Sequence, residues 1–174
     1  MRSWSLACCL LLTVFAGCGY TTGSLLPSNF RTIYIEPFQN KVGFVNENVR
    51  ALYVPLLESK VRQSVVDRFV FDGHLRVKDG DKSDLVLKGN LIGFQRDELR
   101  LTDNQEVEEY RLRIIISMTL TDTSNGTVVW TEPSFAGEAT YFTSGPQAKS
   151  ESAAMSDALL DLSRRVVERT LENW

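Results

Sequence analysis

The chain has 174 residues, of which 43% are apolar, 10% aromatic and 24% charged. That is the balance of one globular domain, and it excludes collagen-like, coiled-coil and largely disordered chains. Lys plus Arg is 19 and Asp plus Glu is 22, a net charge of −3; a protein relying on attraction to a polyanion is normally basic, so nucleic acid is not expected as a partner.

Residues 1–17 precede the fold. Met1-Arg2 supplies a positive charge, Leu6 to Ala16 is an apolar run broken only by Thr13, and the run ends at the small pair Ala16-Gly17. It is too short to cross a bilayer and has the marks of a secretory signal. Cys18 follows, and Phe15-Ala16-Gly17-Cys18 looks like a bacterial lipobox, although Phe15 stands where leucine is commoner. In such signals the cysteine thiol is diacylated, the chain is cut before it and the new amine is acylated. The alternative is an ordinary secretory signal with a chance cysteine. Cys8 and Cys9 lie in the removed segment, so the remaining fold has no disulfide and must rest on packing. The product has 157 residues and a net charge of −4, long enough to bury roughly 68–70% of its unfolded surface. Two or more acyl chains, at about 0.8 kcal/mol per methylene, anchor a protein without spanning the membrane.

From Gly19 to Asn29 the chain is rich in Gly, Ser, Thr and Pro and reads as a lipidated tether (18–29), with a single domain over 30–174. Phe30 to Phe38 is a short strand with Ile33 and Ile35 on one face and Tyr34 on the other, in which Pro37 ends the pairing or sits on an edge. Asn46 to Val70 has helical spacing in Val49, Leu52, Tyr53, Leu56, Val61 and Phe69; Pro55 requires a first turn or a kink near 51–55. A short strand follows at Leu75–Val77, then a longer one over Asp84–Arg96. In the latter, Leu85, Leu87 and Leu91 share a face with Gly89 and Gly93, predicting a bulge or a close backbone approach.

Tyr110 to Leu120 alternates strictly, with Tyr110, Leu112, Ile114, Ile116, Met118 and Leu120 on the core face. Asn125-Gly126 signals a hairpin to a strand over Val128–Phe142. A two-residue loop pairs Thr121 with Trp130 and Arg113 with Glu138, leaving Trp130 and Val128 outside. A three-residue loop buries Trp130 against Leu120 and needs a bulge near Pro133 to restore the later register. Lys149 to Trp174 is a helix with stripes Met155, Leu159, Leu162, Val166 and Leu160, Val167, Leu171, Trp174. The order β-α-β-β-β-α gives an α+β fold. Two helices pack on one face of a four-stranded mixed or antiparallel sheet, with or without a short fifth strand.

Catalytic chemistry is scarce. His74 is the single histidine and lies in a turn; the mature domain has no cysteine; Asp97-Glu98 and Glu108-Glu109 are adjacent, so their carboxylates point to opposite faces of a strand. No dinucleotide or P-loop pattern occurs. The expectation is a protein that is not an enzyme, without metal or cofactor. The remaining candidates are surface arginines: Arg111 and Arg113 on the outer face of the alternating strand, with Arg96 and Arg100 at the end of the preceding one. They either bind phosphate in their guanidinium forks or pair across strands with Glu98, Glu108 or Glu138. The loop Leu101–Glu106 between the two long strands is a candidate contact tip.

Cys18-Gly19-Tyr20, Pro27, Arg31-Thr32-Ile33-Tyr34-Ile35 leading into Phe38-Gln39-Asn40, Ser83 to Gly89, Glu109-Tyr110-Arg111-Leu112 and the closing helix together resemble the LptE family of LPS-assembly lipoproteins. The resemblance covers most of residues 18–142. It implies a lipoprotein anchored through Cys18 at the periplasmic face of the outer membrane, an address that Gly19 after the cysteine also resembles. It further implies a plug and assembly partner for the LPS translocon barrel LptD that assists LPS insertion into the outer leaflet. Basic residues towards one end of the sheet are then the expected LPS contacts, here Arg100 and Arg111, with Arg113 and Trp130 as expected partner contacts. The alternative is an outer-membrane lipoprotein that activates a peptidoglycan synthase or scaffolds another envelope complex. Such proteins resemble this chain around Asp84–Gly89 and Asn125–Trp130 but usually carry a long tether; here about eleven residues span at most roughly 40 Å.

Overall fold

The alternating segment becomes a long strand one place in from the sheet edge, buried on one side from Leu112 onwards. In the computed structural model, which describes residues 29–43 and 54–172, the elements are β1 (Thr32–Ile35), β2 (Gln39–Asn40), α1 (Leu57–Asp72), β3 (Arg76–Val77), a 3-10 turn (Gly80–Lys82), β4 (Leu85–Leu101), β5 (Val107–Asp122), β6 (Val128–Phe142) and α2 (Glu151–Glu172). One sheet runs in the order β3-β1-β4-β5-β6, and β2 pairs with β4 beyond the end of β1. β1 is parallel to β3 and β4, whereas β4, β5 and β6 form an antiparallel meander. The α+β class and the mixed sheet agree with expectation. The count rises to six because the first strand divides at Pro37: the Glu36 N–H donates to the Leu87 carbonyl (3.0 Å) before the break, and pairing resumes at Gln39.

Leu112, Ile114, Ile116, Met118 and Leu120 of β5 are 0–2% exposed. Over them lie Ala154, Ala158, Leu162 and Val166 of α2, while Leu57, Val61, Val65 and Phe69 of α1 pack beside α2 against β1, β3 and β4. The two helices therefore share one face of the sheet. Gly137 sets how closely α2 approaches: a Cβ there would stand 2.3 Å from Leu162 Cβ and 2.5 Å from the Leu162 backbone. The close approach expected at Gly89 is present, with the Phe38 ring where a Cβ would go. Gly93 does not share that face. A bulge between Leu91 and Gly93 turns it towards Ile115 on the opposite side.

Several boundaries shift. Pro55 precedes the described helix instead of lying in its first turn or at a kink. α1 begins at Leu57, after Leu56 in the left-handed region (φ 58°), and closes on Gly73, whose N–H donates to the Phe69 carbonyl. Leu56, expected on the apolar stripe, is exposed; Val49, Leu52 and Tyr53 lie outside the described residues. β4 continues five residues beyond Arg96. On α2 the small residues Ala154 and Ala158 take the interface and Leu160 faces solvent, while Trp174 lies outside the described residues, as do the signal, Cys18 and all of the tether but Asn29.

The β5–β6 turn explains Trp130. Asp122 and Thr127 close a loop of four residues, Thr123 to Gly126, longer than either expected form, with Gly126 at φ 70°. An extra residue at Val129 then sets Trp130 opposite Leu120, and Pro133-Ser134 bulge opposite Ser117. Beyond that bulge Phe135, Ala139 and Tyr141 face Ile116, Leu112 and Tyr110, as the two-residue loop had required. Trp130 is core, 7% exposed.

Asp84 fastens β1 to the start of β4. Its Oδ2 accepts the N–H of Arg31 (2.9 Å), the N–H of Thr32 (2.9 Å) and the Thr32 hydroxyl (2.8 Å). The Arg31 N–H, then the Thr32 hydroxyl, hold the Asp84 carboxyl below its ordinary pKa. A depressed carboxylate contributes stability above its unfolded pKa, about 3.9, and loses it as pH falls through the folded value. Asp84→Asn is therefore expected to cost roughly 1–3 kcal/mol at pH 7, with the deficit narrowing below about pH 4; urea unfolding of both proteins at pH 7 and pH 3 measures it.

Candidate functional site

A sheet covered on one face still has two edges and a second face to dispose of. At the β6 edge, α2 does this with charged side chains. The Arg165 guanidinium donates to the Ala136 carbonyl, the Glu138 N–H donates to Asp161 Oδ2 (3.1 Å), and Arg169 Nε pairs with Glu132 (2.7 Å) while its guanidinium lies over Trp130. On the β1 side, Arg62 Nε donates to the Ile35 carbonyl (3.0 Å). These contacts occupy backbone groups that strand addition would need. Asp161→Ala with Arg165→Ala should uncover the β6 edge, lower stability by about 1–3 kcal/mol and produce concentration-dependent self-association, read by sedimentation velocity.

The second face stays open. It carries half-buried polar side chains, with Asn90 bonded to Ser117 (3.2 Å) and Thr119 to Thr131 (3.3 Å). Towards the β4–β5 hairpin it gathers three charges. Asp97 Oδ2 lies 2.9 Å from an Arg113 terminal nitrogen and 3.4 Å from one of Arg111, all three side chains being about one-third exposed. Two guanidiniums share this one carboxylate, with Glu138 directly across the strand pair from Arg113, and the Nε of each arginine is buried without a hydrogen-bond partner.

The other two arginines separate from this pair. Arg100 lies 3.8 Å from Glu109 with its guanidinium over Phe142. Arg96 is on the helix side of the sheet, bonded to Glu151 at 2.6 Å and stacked over Tyr110. Burial works against the Arg96 charge, but Glu151 outweighs it and raises the guanidinium pKa. Glu138 keeps its expected place across from Arg113, but the carboxylates that reach these arginines are Asp97, Glu109 and Glu151. The cause is the bulge after Leu91, which inverts the facing of every later β4 residue, followed by irregularities on both sides of Arg100. Asp97 was missed as a hub for that reason. Trp130, expected at a partner contact, is enclosed by Leu120 and Arg169, and little of it is left for a partner.

The remaining candidates stay peripheral. His74 Nδ1 is 2.8 Å from Asp72 in an exposed turn. Among the described residues no cluster of three metal-ligating side chains occurs, and no helix is long and apolar enough to cross a membrane.

The fold defines a small α+β domain with one open sheet face and a β6 edge capped by α2. The family model for lipopolysaccharide-assembly proteins, LptE, matches residues 30–171, and the chain belongs to that family. It is thereby an LPS-assembly lipoprotein of the cell envelope, of a family that is not enzymatic. No curated protein matches the chain by sequence. Among solved structures it is similar to protein XCC0632 from Xanthomonas campestris (TM-score 0.55, 16% identity, 83% of this chain and 88% of that one). It is also similar to hypothetical protein CT253 from Chlamydia trachomatis (TM-score 0.54, 10% identity, 81% and 95%) and to the PelC dodecamer from Paraburkholderia phytofirmans (TM-score 0.50, 16% identity, 87% and 95%). At these identities the likeness is one of fold.

Proposed function

We propose that this chain is anchored through Cys18 at the periplasmic face of the outer membrane, plugs and helps assemble the LPS translocon barrel, and assists LPS insertion into the outer leaflet. The observation that carries this is the family match over 30–171, which takes in every described element of the domain. The capped edges support it: a rigid piece placed inside a β-barrel has to meet the wall through its faces without being drawn into the barrel's own sheet.

The phosphate contact is assigned to Arg111 together with Arg113, because the two guanidiniums converge on the open face and stay about one-third exposed. Arg100, expected beside Arg111, is engaged by Glu109 and Phe142 and acts on the hairpin instead.

The experiment is purification of the full lipoprotein in detergent, followed by LPS binding. A β-barrel of translocon size should co-purify; protein that runs alone, or with a peptidoglycan synthase, removes the proposal. Arg111→Gln with Arg113→Gln should weaken LPS binding by about tenfold, with a smaller difference at high salt, and Arg100→Gln should leave binding near that of the parent.

A further inference from the structure

The β4–β5 hairpin continues past the helical layer. α2 begins level with Arg96, where its first residue, Glu151, takes the arginine's hydrogen bond. Beyond that rung Glu98 to Leu101 are all exposed, and the hairpin turns at Thr102–Glu106 with Gln105 in the left-handed region (φ 63°). Two large apolar side chains stand in water there, Leu99 at 44% and Leu101 at 52% exposure. Leu101 sits opposite Val107, and irregular pairing on both sides of Arg100 departs from simple alternation at Leu99. Exposed leucines on an otherwise uncovered sheet extension are what an interaction surface presents before it is covered.

Charge selects the occupant. Residues 98–109 contain five carboxylates (Glu98, Asp103, Glu106, Glu108 and Glu109) against Arg100, a net charge of −4 where the whole chain has −3. The protein's negative charge therefore resides in this one hairpin, and everything outside it sums to +1. A surface of anionic lipid or LPS phosphate is repelled by such an end, whereas a cationic protein surface is drawn to it. We infer that the hairpin end is a docking point for a basic protein surface that covers Leu99 and Leu101 with apolar side chains of its own. This assigns two neighbouring stretches of one strand pair different tasks: carboxylates and leucines at the tip for a protein, the Arg111–Arg113 pair behind it for phosphate. The inference deepens the functional proposal, resting on its claim that the chain works within an envelope assembly.

The test uses the full lipoprotein in its native envelope, with a photo-crosslinking side chain at Leu101 and, for reference, at Val128, which is exposed beside the β5–β6 turn away from the hairpin. The Leu101 probe should capture a protein whose cross-linked peptide has Lys or Arg within a few residues. Asp103→Lys with Glu106→Lys, which brings the hairpin to zero net charge, should lower that yield by about tenfold. The Val128 probe should not capture the same peptide. If the captured protein is an outer-membrane barrel, both this inference and the functional proposal stand. If it is another protein with a basic contact, the inference stands and the translocon proposal falls. Adducts to LPS or phospholipid, a protein adduct indifferent to the charge swap, or no adduct at all overturn the inference.

Discussion

The rest of the structure depends on how closely α2 lies on the sheet at Gly137. The Leu162 backbone occupies the space a side chain would need, so helix and strand meet almost backbone to backbone. At that distance the helix reaches past its own footprint. Asp161 and Arg165 extend to the free N–H and carbonyl groups of β6, Arg169 crosses Trp130 to Glu132, and Glu151 closes over Arg96 at the other end. A helix held further out would still bury apolar surface, but its polar side chains would no longer reach the strand edge. Core packing and edge protection are thus one arrangement, and it leaves the open face and the projecting hairpin as the surfaces through which the domain can act.

Those two surfaces differ in chemistry. Arg111 and Arg113 converge on a single Asp97 on the face, while the hairpin beyond them concentrates carboxylates around exposed leucines. The net charge of the chain, mildly acidic, describes neither surface. A protein of an LPS-assembly family with an acidic total is therefore no contradiction, because two of its arginines stand together on the uncovered sheet.

Much of this was legible in the residues. Strict alternation in β5 gave the buried face correctly, the wide apolar stripe of α2 announced a helix laid flat on a sheet, and Gly89 marked a close approach. Facing was lost wherever the pairing slipped. One extra residue after Leu91 moved Arg96 to the helix side and Asp97 to the open face; Gly89 and Gly93 marked this stretch for a bulge or a close approach, but not which glycine would have which. Trp130 lay between two readings because its burial depends on a loop length and a later bulge, both of which arise from three-dimensional closure. The edge caps were unreadable for a related reason: Asp161 and Arg165 look like an ordinary solvated helix face until β6 is placed beside them.

The most direct test of this account is hydrogen exchange at the Glu138 amide, in the lipoprotein alone and in complex with the proposed barrel partner. Because that amide already donates to Asp161, the account predicts slow exchange in both states, comparable with the interior β5 ladder. Rapid exchange in the free protein that becomes slow in the complex would mean that the edge is open and is used for strand addition, and would contradict it.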